Sequence, residues 1–378
     1  MATYRYLFAD LLTNTILGEL PLTGVNFTQQ LNASGTFTGS LLLSGVDAAT
    51  YNVDAATIPA RTAVYVDRDG TLIWGGIVWG REYDSKSQTL KLQAREFESY
   101  FERRRITTTT VFNAVDQLTA VQTLITNAQA ASSGNIGVQL GGETSGVNIT
   151  RTFYGYERKT VYSAIQDLSK ALDGFDFRIY VYYDSNGNPA KLLKLGYPRL
   201  GETYTPTSLT IPVFQLPGNI VEYTYPEDGS IAANTVYALG AGSNEGKLIK
   251  TAVDGQKLID GWPLLEEAPN YSDISNATLL EQLAQGQVAV ISYPPTTIKV
   301  SQTPNVDPIL GSYEIGDDAR FIALDDRFPS GIDAIYRVVA LNVTAGENNN
   351  PELVTATLTF VTNSTAGEGT PSIAISGY

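Results

Sequence analysis

The sequence predicts a mainly β protein with a smaller α+β part, and three observations carry that expectation. Short runs that alternate apolar and polar residues, bounded by turn residues, fill positions 1–106 and return after 206. Two amphipathic helical patterns fall together within residues 107–205, beside a hairpin signal. Outside that region only NATLLEQLAQGQVAVIS, residues 276–292, reads as a helix of any length.

The strands follow in order. YRYLFADLLTNTILGELPL reads as strand, turn at Thr13-Asn14-Thr15, strand. VNFTQQLN and GTFTGSLLLS alternate as half-buried strands do. One helical turn is expected before Pro59. Asp67-Arg68-Asp69-Gly70 is a hairpin turn between AVYV and LIWGGIVWG. Gly75-Gly76 inside the latter strand signals a bulge or a close backbone approach. KLQAREFESYFERRRI reads as a strand running into a short helix that ends at Arg103, Arg104 and Arg105.

In the middle region, AVDQLTAVQTLITNAQA places Val115, Leu118, Val121, Leu124 and Ile125 on one helical face. A Gly/Ser-rich loop follows. ERKTVYSAIQDLSKALDG aligns Val161, Ile165, Leu168 and Leu172, with Gly174 as the stop. FDFRIYVYYDSNGNPAKLLKLGYPRLG is a hairpin turning at Asn186-Gly187. After it come the strands NIVEYTY and NTVYALGAG, separated by a Pro226-Glu227-Asp228-Gly229 turn, and from Ile298 a last strand set. Residues 63–94 and 319–358 share one plan: strand, Asp-rich turn, long strand, polar turn, strand. Either this is a domain repeat or it reflects how often three-stranded meanders recur in β proteins.

Composition narrows the chemistry. The 378 residues suit two to four domains at roughly 100–200 residues each. With no Cys and no His, disulfides, thiolate zinc sites, Cys nucleophiles, imidazole metal sites and Ser-His-Asp triads are excluded. Carboxylate catalysis and oxygen-ligated divalent cations stay possible. A net charge of −14 opposes a nucleic-acid clamp or an anionic membrane surface. Neither a signal-peptide pattern nor a run of ~20 apolar residues is present.

The individual constellations read as structural. Asp184-Ser185-Asn186-Gly187-Asn188 begins like a calcium loop, but Pro189 and Leu195 stand where Gly and Glu are needed, so a hairpin turn is expected. Asp317-Asp318 and Asp325-Asp326 flank a strand and could be read as a glycosidase pair; strand-end turns are the simpler reading. Trp74, Trp79 and the 22 tyrosines fit core and subunit contacts better than sugar stacking. The Gly240–Gly246 loop lacks the Lys-Ser/Thr pair of a phosphate loop. Arg103–Arg105 is the one basic cluster, read as a docking contact or a solvated helix end. No catalytic residue, metal ligand or cofactor is expected.

The order of these parts resembles the tail-hub (baseplate hub, or minor tail) proteins of long-tailed bacteriophages, of the siphophage type that infects actinobacteria. The residues that carry the likeness are LIWGGIVWG with Trp74, Gly75 and Gly76, then TVYSAIQDLSKAL leading into GFDFRIYVYY. They continue with NIVEYTYPEDGSIAANTVYALGAG and its Asn234, then LLEQLAQGQVAVI before Pro294-Pro295, and finally Gly311, Tyr313 and Ile315-Gly316-Asp317. The likeness implies two related, tail-tube-like β-barrels and a homotrimer whose six barrels form a pseudo-sixfold ring. It implies a domain at 1–106 (first barrel), one at 107–205 (α+β) and a discontinuous second barrel at 206–240 and 291–361. Residues 241–290 would be an insertion packing with the α+β domain, and 362–378 a flexible tail. It implies a non-enzymatic virion protein at the tail tip, with a distal tail or tail-tube protein above and a central fibre or other minor tail proteins below. The tape-measure protein is a further partner, and DNA is met only in transit during ejection. The alternatives are a receptor- or carbohydrate-binding tail-tip protein and a carboxylate-based glycosidase.

Overall fold

The computed structural model describes residues 2–45, 51–205, 208–292, 297–347 and 350–360. The Pro294-Pro295 pair and the 362–378 tail lie outside these residues. The chain forms two compact units. The first comprises residues 1–169, 175–228 and 296–360, and the second comprises 170–174 and 229–295.

The first unit opens with β1 (Tyr4–Asp10), β2 (Ile16–Glu19), β3 (Thr23–Gln30) and β4 (Thr36–Leu42). A short helix α1 (Val53–Ala56) precedes β5 (Thr62–Arg68), β6 (Thr71–Asp84) and β7 (Thr89–Glu96), and α2 (Glu98–Glu102) follows. The β5–β6 turn sits where the sequence places it. Asp69 and Gly70 both have positive φ (52° and 86°), and the Asp67 carboxylate accepts from Gly70 N–H. Next come β8 (Thr110–Asp116), α3 (Gln117–Ala130), β9 (Val138–Leu140), β10 (Asn148–Phe153) and α4 (Val161–Ser169). The hairpin β11 (Asp176–Tyr183) and β12 (Pro189–Gly196) follows, turning across Asn186-Gly187. Then β13 (Val213–Leu216) and β14 (Ile220–Thr224) precede the second unit.

That second unit holds β15 (Thr235–Leu239), β16 (Ile249–Val253), α5 (Gly255–Ile259), β17 (Glu266–Glu267) and α6 (Ala277–Ile291). The chain then returns to the first unit as β18 (Thr297–Gln302), β19 (Asp318–Ala323), β20 (Ile332–Thr344) and β21 (Leu353–Phe360).

Residues 63–94 and 319–358 fold with the same connections. In both, a long middle strand (β6 or β20) pairs antiparallel with the strand before it and the strand after it. The likeness extends further than the sequence suggests. The neighbour order β1-β5-β6-β7-β4-β3 is matched strand for strand, in chain order, by β13-β19-β20-β21-β18-β14. One element differs: β1 runs antiparallel to β5, whereas β13 runs parallel to β19.

The expected closed barrels are corrected by the hydrogen bonding. Among the described residues no sheet closes on itself; both strand sets belong to one 13-stranded sheet. The cause lies in β20, which is 13 residues long. One of its edges pairs with β19 up to Arg337 and with β3 from Ala340 onward. The β3 edge that would close the first set is therefore occupied by the second.

Alternation explains the core. Tyr6 and Phe8 of β1, Val64 and Val66 of β5, and Trp74 and Val78 of β6 enter a core shared with Phe214, Val300, Phe321, Tyr336 and Val343 of the second set. The intervening Leu7, Ala9, Tyr65 and Ile77 enter a separate core with α3, α4 and the β11–β12 hairpin. Strands β1 and β5 are thus buried on both faces, which is why they read as nearly continuous apolar runs.

The helices differ in detail from the sequence reading. Val115 lies on β8, because the Asp116 carboxylate accepts from Leu118 and Thr119 N–H and starts the helix after it. Helix α4 ends at Ser169, five residues before the expected stop at Gly174, so Leu172 is not on it. Residues 170–174 are held instead against α6. Leu172 N–H donates to Gln282 O, and a Cβ on Gly286 would stand 2.4 Å from Lys170 O. In the second unit α6 covers β15 and β16 through Leu280, Leu283, Val236, Ala238 and Ala252. Besides the one expected helix, residues 241–290 also hold β16, α5 and β17.

Candidate functional site

The most elaborate polar arrangement of the first unit is a junction centred on Asp176. This residue starts β11 and is buried. Its carboxylate accepts from Asn32 Nδ2 (2.7 Å), just after β3, and from Leu200 N–H (2.9 Å). It also pairs with the Arg337 guanidinium of β20. Asn32 Oδ1 in turn accepts from Phe177 N–H (2.8 Å). Arg337 donates further to Gly316 O (2.9 Å) and Leu200 O (2.6 Å). One carboxylate therefore ties the first strand set, the α+β part and the second strand set together.

Gly316 and Asp317 lie at the edge of this junction. Gly316 has φ 107° and meets Gly201 so closely that a Cβ on Gly201 would stand 2.1 Å from the Gly316 carbonyl carbon. The buried Asp317 carboxylate accepts from Glu202 N–H (2.7 Å) and Glu314 N–H (2.8 Å). Asp318 pairs with Arg199 and accepts from Tyr204 N–H. Asp325 accepts from Tyr223 OH and from Arg327 and Phe328 N–H, and these bonds hold its carboxyl below the usual range. Asp317, Asp318 and Asp325 are thus each engaged in fastening loops.

Trp74 is fully buried, and its indole N–H donates to Thr28 O (2.9 Å). Gly75 and Gly76 mark a close approach. A Cβ on Gly76 would stand 2.2 Å from Arg95 O, and one on Gly75 would stand 2.7 Å from Val181 of β11. Asn234 lies in the second unit. It donates to Pro263 O (2.7 Å) and accepts from Leu265 N–H (3.1 Å), fixing the segment that leads to β17. Gly311 sits in a turn at φ 95° with open space around it. The residues that join Gly316 and Asp317 at the junction, namely Asn32, Asp176, Arg199 and Arg337, carried no local signal, because their partners lie far away in the chain.

Arg103 and Arg105 are exposed, just beyond α2. Arg104 is partly buried over the Tyr100 ring and donates to Ala128 O (2.8 Å). Arg105 donates to Arg158 O (3.3 Å). Asp184 closes the β11–β12 turn by accepting from Asn186 and Asn188 N–H.

Room for a small ligand is scarce at the cavity beside β18. It is lined by Gln302, Pro304, Val306, Leu310 and Glu352 and has about 10 Å³, roughly what one water needs. Among the described residues no cluster of three or more acidic side chains is placed to hold a metal ion. No helix among them is long and apolar enough to cross a membrane.

Two buried carboxylates, Glu96 and Glu98, form a perturbed ionisable pair. Burial, then the charge of Glu98, pushes Glu96 up to about 8 against the opposing pull of Arg178. Burial likewise raises Glu98, although it accepts from Ile179 N–H. Glu96 also accepts from Gly35 N–H (2.7 Å), so the pair again joins the first strand set to β11.

No known protein family matches the chain by sequence pattern, and no curated protein matches it in sequence. Solved structures do match in fold. A 43 kDa tail protein of prophage MuSo2 from Shewanella oneidensis superposes with a TM-score of 0.59 at 13% identity, over 95% of this chain and 98% of that one. The tail protein from Neisseria meningitidis gives 0.56 at 13% identity, over 94% and 96%. The prophage tail protein gp18 from Listeria monocytogenes gives 0.53 at 12% identity, over 95% of both chains. Nearly end to end, this chain shares the fold of phage tail proteins.

Proposed function

We propose that this chain is a non-enzymatic hub of a phage tail tip, working as a homotrimer. The observation that carries the reading is the duplicated six-strand plan. Each chain holds two strand sets of one topology, so three chains would present six similar sets around a threefold axis. Such a ring would join a sixfold tail tube or distal tail ring above to a threefold fibre below, and would take part in channel opening for DNA ejection. In this reading each set acts as one of the six lobes of the ring. The domain division at 106, 205, 240 and 291, the contact with the tape-measure protein and the tail-tip location belong to the same proposal. Trp74, Gly75, Gly76, Asn234, Gly311, Gly316 and Asp317 serve the fold in it, and Arg103–Arg105 serve docking. The narrower assignment to phages of actinobacteria draws no support from fold neighbours in Shewanella, Neisseria and Listeria.

Electron cryo-microscopy of the purified full chain, with mass measurement at micromolar concentration, tests the reading. The expected result is a threefold ring with six similar lobes around an axial opening. A monomer, or a twofold assembly, would overturn it.

A further inference from the structure

The chain is acidic, with 39 Asp and Glu against 25 Lys and Arg. Most of its arginines are accordingly paired. Arg5, Arg61, Arg68, Arg81, Arg95, Arg151, Arg178, Arg199, Arg320, Arg327 and Arg337 each have a carboxylate oxygen within 4.0 Å. Among the described residues, the arginines without such a partner are Arg103, Arg104, Arg105 and Arg158. All four come from two segments that run side by side. Ile106 N–H donates to Lys159 O and Val161 N–H to Arg104 O, and Arg105 and Thr160 form a bridge. Arg105 and Arg158 each spend one donor on a backbone carbonyl, Arg158 O and Thr107 O respectively. The other donors of these planar forks remain for carboxylates. Unpaired lysines occur on other elements, but an ammonium lacks that bidentate geometry.

Two further features accompany this patch. Arg158 holds a left-handed backbone (φ 53°, ψ 32°), a conformation costly for a side chain of its size and frequent where function requires a fixed presentation. Tyr154 and Tyr156 stack beside it with centroids 5.2 Å apart, and Tyr156 is 75% exposed. Exposed Val111 pairs opposite Thr152 on the same strand pair. Exposed Tyr and Arg are residue types enriched at interface hot spots.

We propose that Arg103, Arg105, Arg158 and Tyr156 form a docking face for the acidic surface of a second copy of this chain. The inference rests on the trimer reading and names the contact that would build it. A patch of like charges cannot meet itself across a twofold axis, since guanidinium would face guanidinium. It needs a different, complementary surface, and a head-to-tail contact between two such surfaces is the kind that can close a threefold ring. The first unit carries exposed acidic side chains with no ion-pair partner among the described residues, Glu82 and Glu222 among them. Duplex DNA suits the patch less well, because an adhesive contact with it needs an extended basic surface rather than three exposed forks in an acidic chain.

The test is the assembly state of the full chain by sedimentation at 0.05, 0.15 and 1 M NaCl, for wild type and for Arg103→Glu/Arg105→Glu/Arg158→Glu, with circular dichroism as the folding control. The contact predicts a wild-type trimer whose dissociation constant rises at least about tenfold at the highest salt, where the screening length falls to ~3 Å. It predicts a folded variant that is monomeric, or weaker by roughly a hundredfold. A folded variant that trimerises like wild type overturns the contact and leaves the trimer standing. A wild type that is monomeric throughout overturns both. Should the triple reversal not fold, Arg103→Glu with Tyr156→Ser is judged by the same criterion, since neither side chain holds the backbone. Binding of a short DNA duplex by wild type and not by the variant, with assembly unchanged, assigns the patch to nucleic acid and overturns the proposal.

Discussion

Glu96 and Glu98 share a space sealed from water, and Lys191 lies buried nearby against the Phe97 ring, donating to Ile136 O (2.8 Å) and Asn14 Oδ1 (3.2 Å). Burial displaces these groups in opposite senses: Glu96 up to about 8, Lys191 down to about 8. The consequences for stability also oppose. Native Glu96 holds its proton more tightly than in the unfolded chain, so its contribution is full below the ordinary carboxylate range and is lost as pH rises to about 8. Native Lys191 holds its proton less tightly, so stability recovers from about 8 up to the ordinary lysine range. Chemical denaturation across pH 5 to 10.5 is therefore expected to show a minimum near 8, on the order of a few kcal/mol deep. Glu96→Gln should flatten the acid limb and Lys191→Met the alkaline limb. A monotonic profile that neither substitution alters would show that these groups do not govern it. Neither residue stood out in the sequence. Glu96 sits in an alternating strand, LKLQARE, where a terminal Glu reads as solvated, and only the packing of β11 across it removes the water.

Among the elements, β20 does most to unify the first unit. It pairs with β19, β21 and β3 and carries Arg337 to the Asp176 junction. Removing the guanidinium leaves a buried carboxylate short of its countercharge, which costs far more than the pair itself contributes. Arg337→Met is expected to destabilise the chain by ~3–5 kcal/mol. Adding Asp176→Asn should cost less than the sum of the two single changes, by roughly 1–3 kcal/mol, because the second change removes the stranded charge. Strictly additive losses in urea denaturation would show that the two side chains do not act as a pair. Here the limits of sequence reading have a physical cause. Strands, turns and the paired meanders were legible because alternation and turn chemistry are local, as Asp69-Gly70 and Asn186-Gly187 illustrate. The junction was half legible: Gly316 and Asp317 were singled out, while Asn32, Asp176 and Arg337 depend on contacts 144 and 161 residues apart. The end of α4 was misplaced for the same reason. Residues 170–174 satisfy helical periodicity, yet Gln282 takes the Leu172 amide that a longer helix would have used.

For the molecule as a whole, the separation of cores sets how it comes apart. The second unit buries its own cluster, Ala233, Val236, Ala238, Ala252, Ile274, Leu279, Leu280, Leu283, Ala284, Val288 and Ile291. None of these belongs to the two larger cores of the first unit. Stability is cooperative within a packed core and much less so between cores, so the smaller one should open in its own sub-global step. Its sheet offers little reserve: β16 leaves Ile249 and Val253 exposed, and β17 has two residues. Removing a fully buried leucine side chain costs ~2–5 kcal/mol, a large share of what a core of this size can hold. Hydrogen exchange followed by mass spectrometry should then show residues 229–292 exchanging together, faster than β5, β6 and β20. Leu280→Ala, at a position with no exposed surface, should accelerate that block and leave β6 protection within about 0.5 kcal/mol of wild type. Loss of protection spread equally over β6 and β20 would mean the two units unfold as one. In that case the discontinuity of the first unit, whose chain leaves at 228 and returns at 296, would itself couple them.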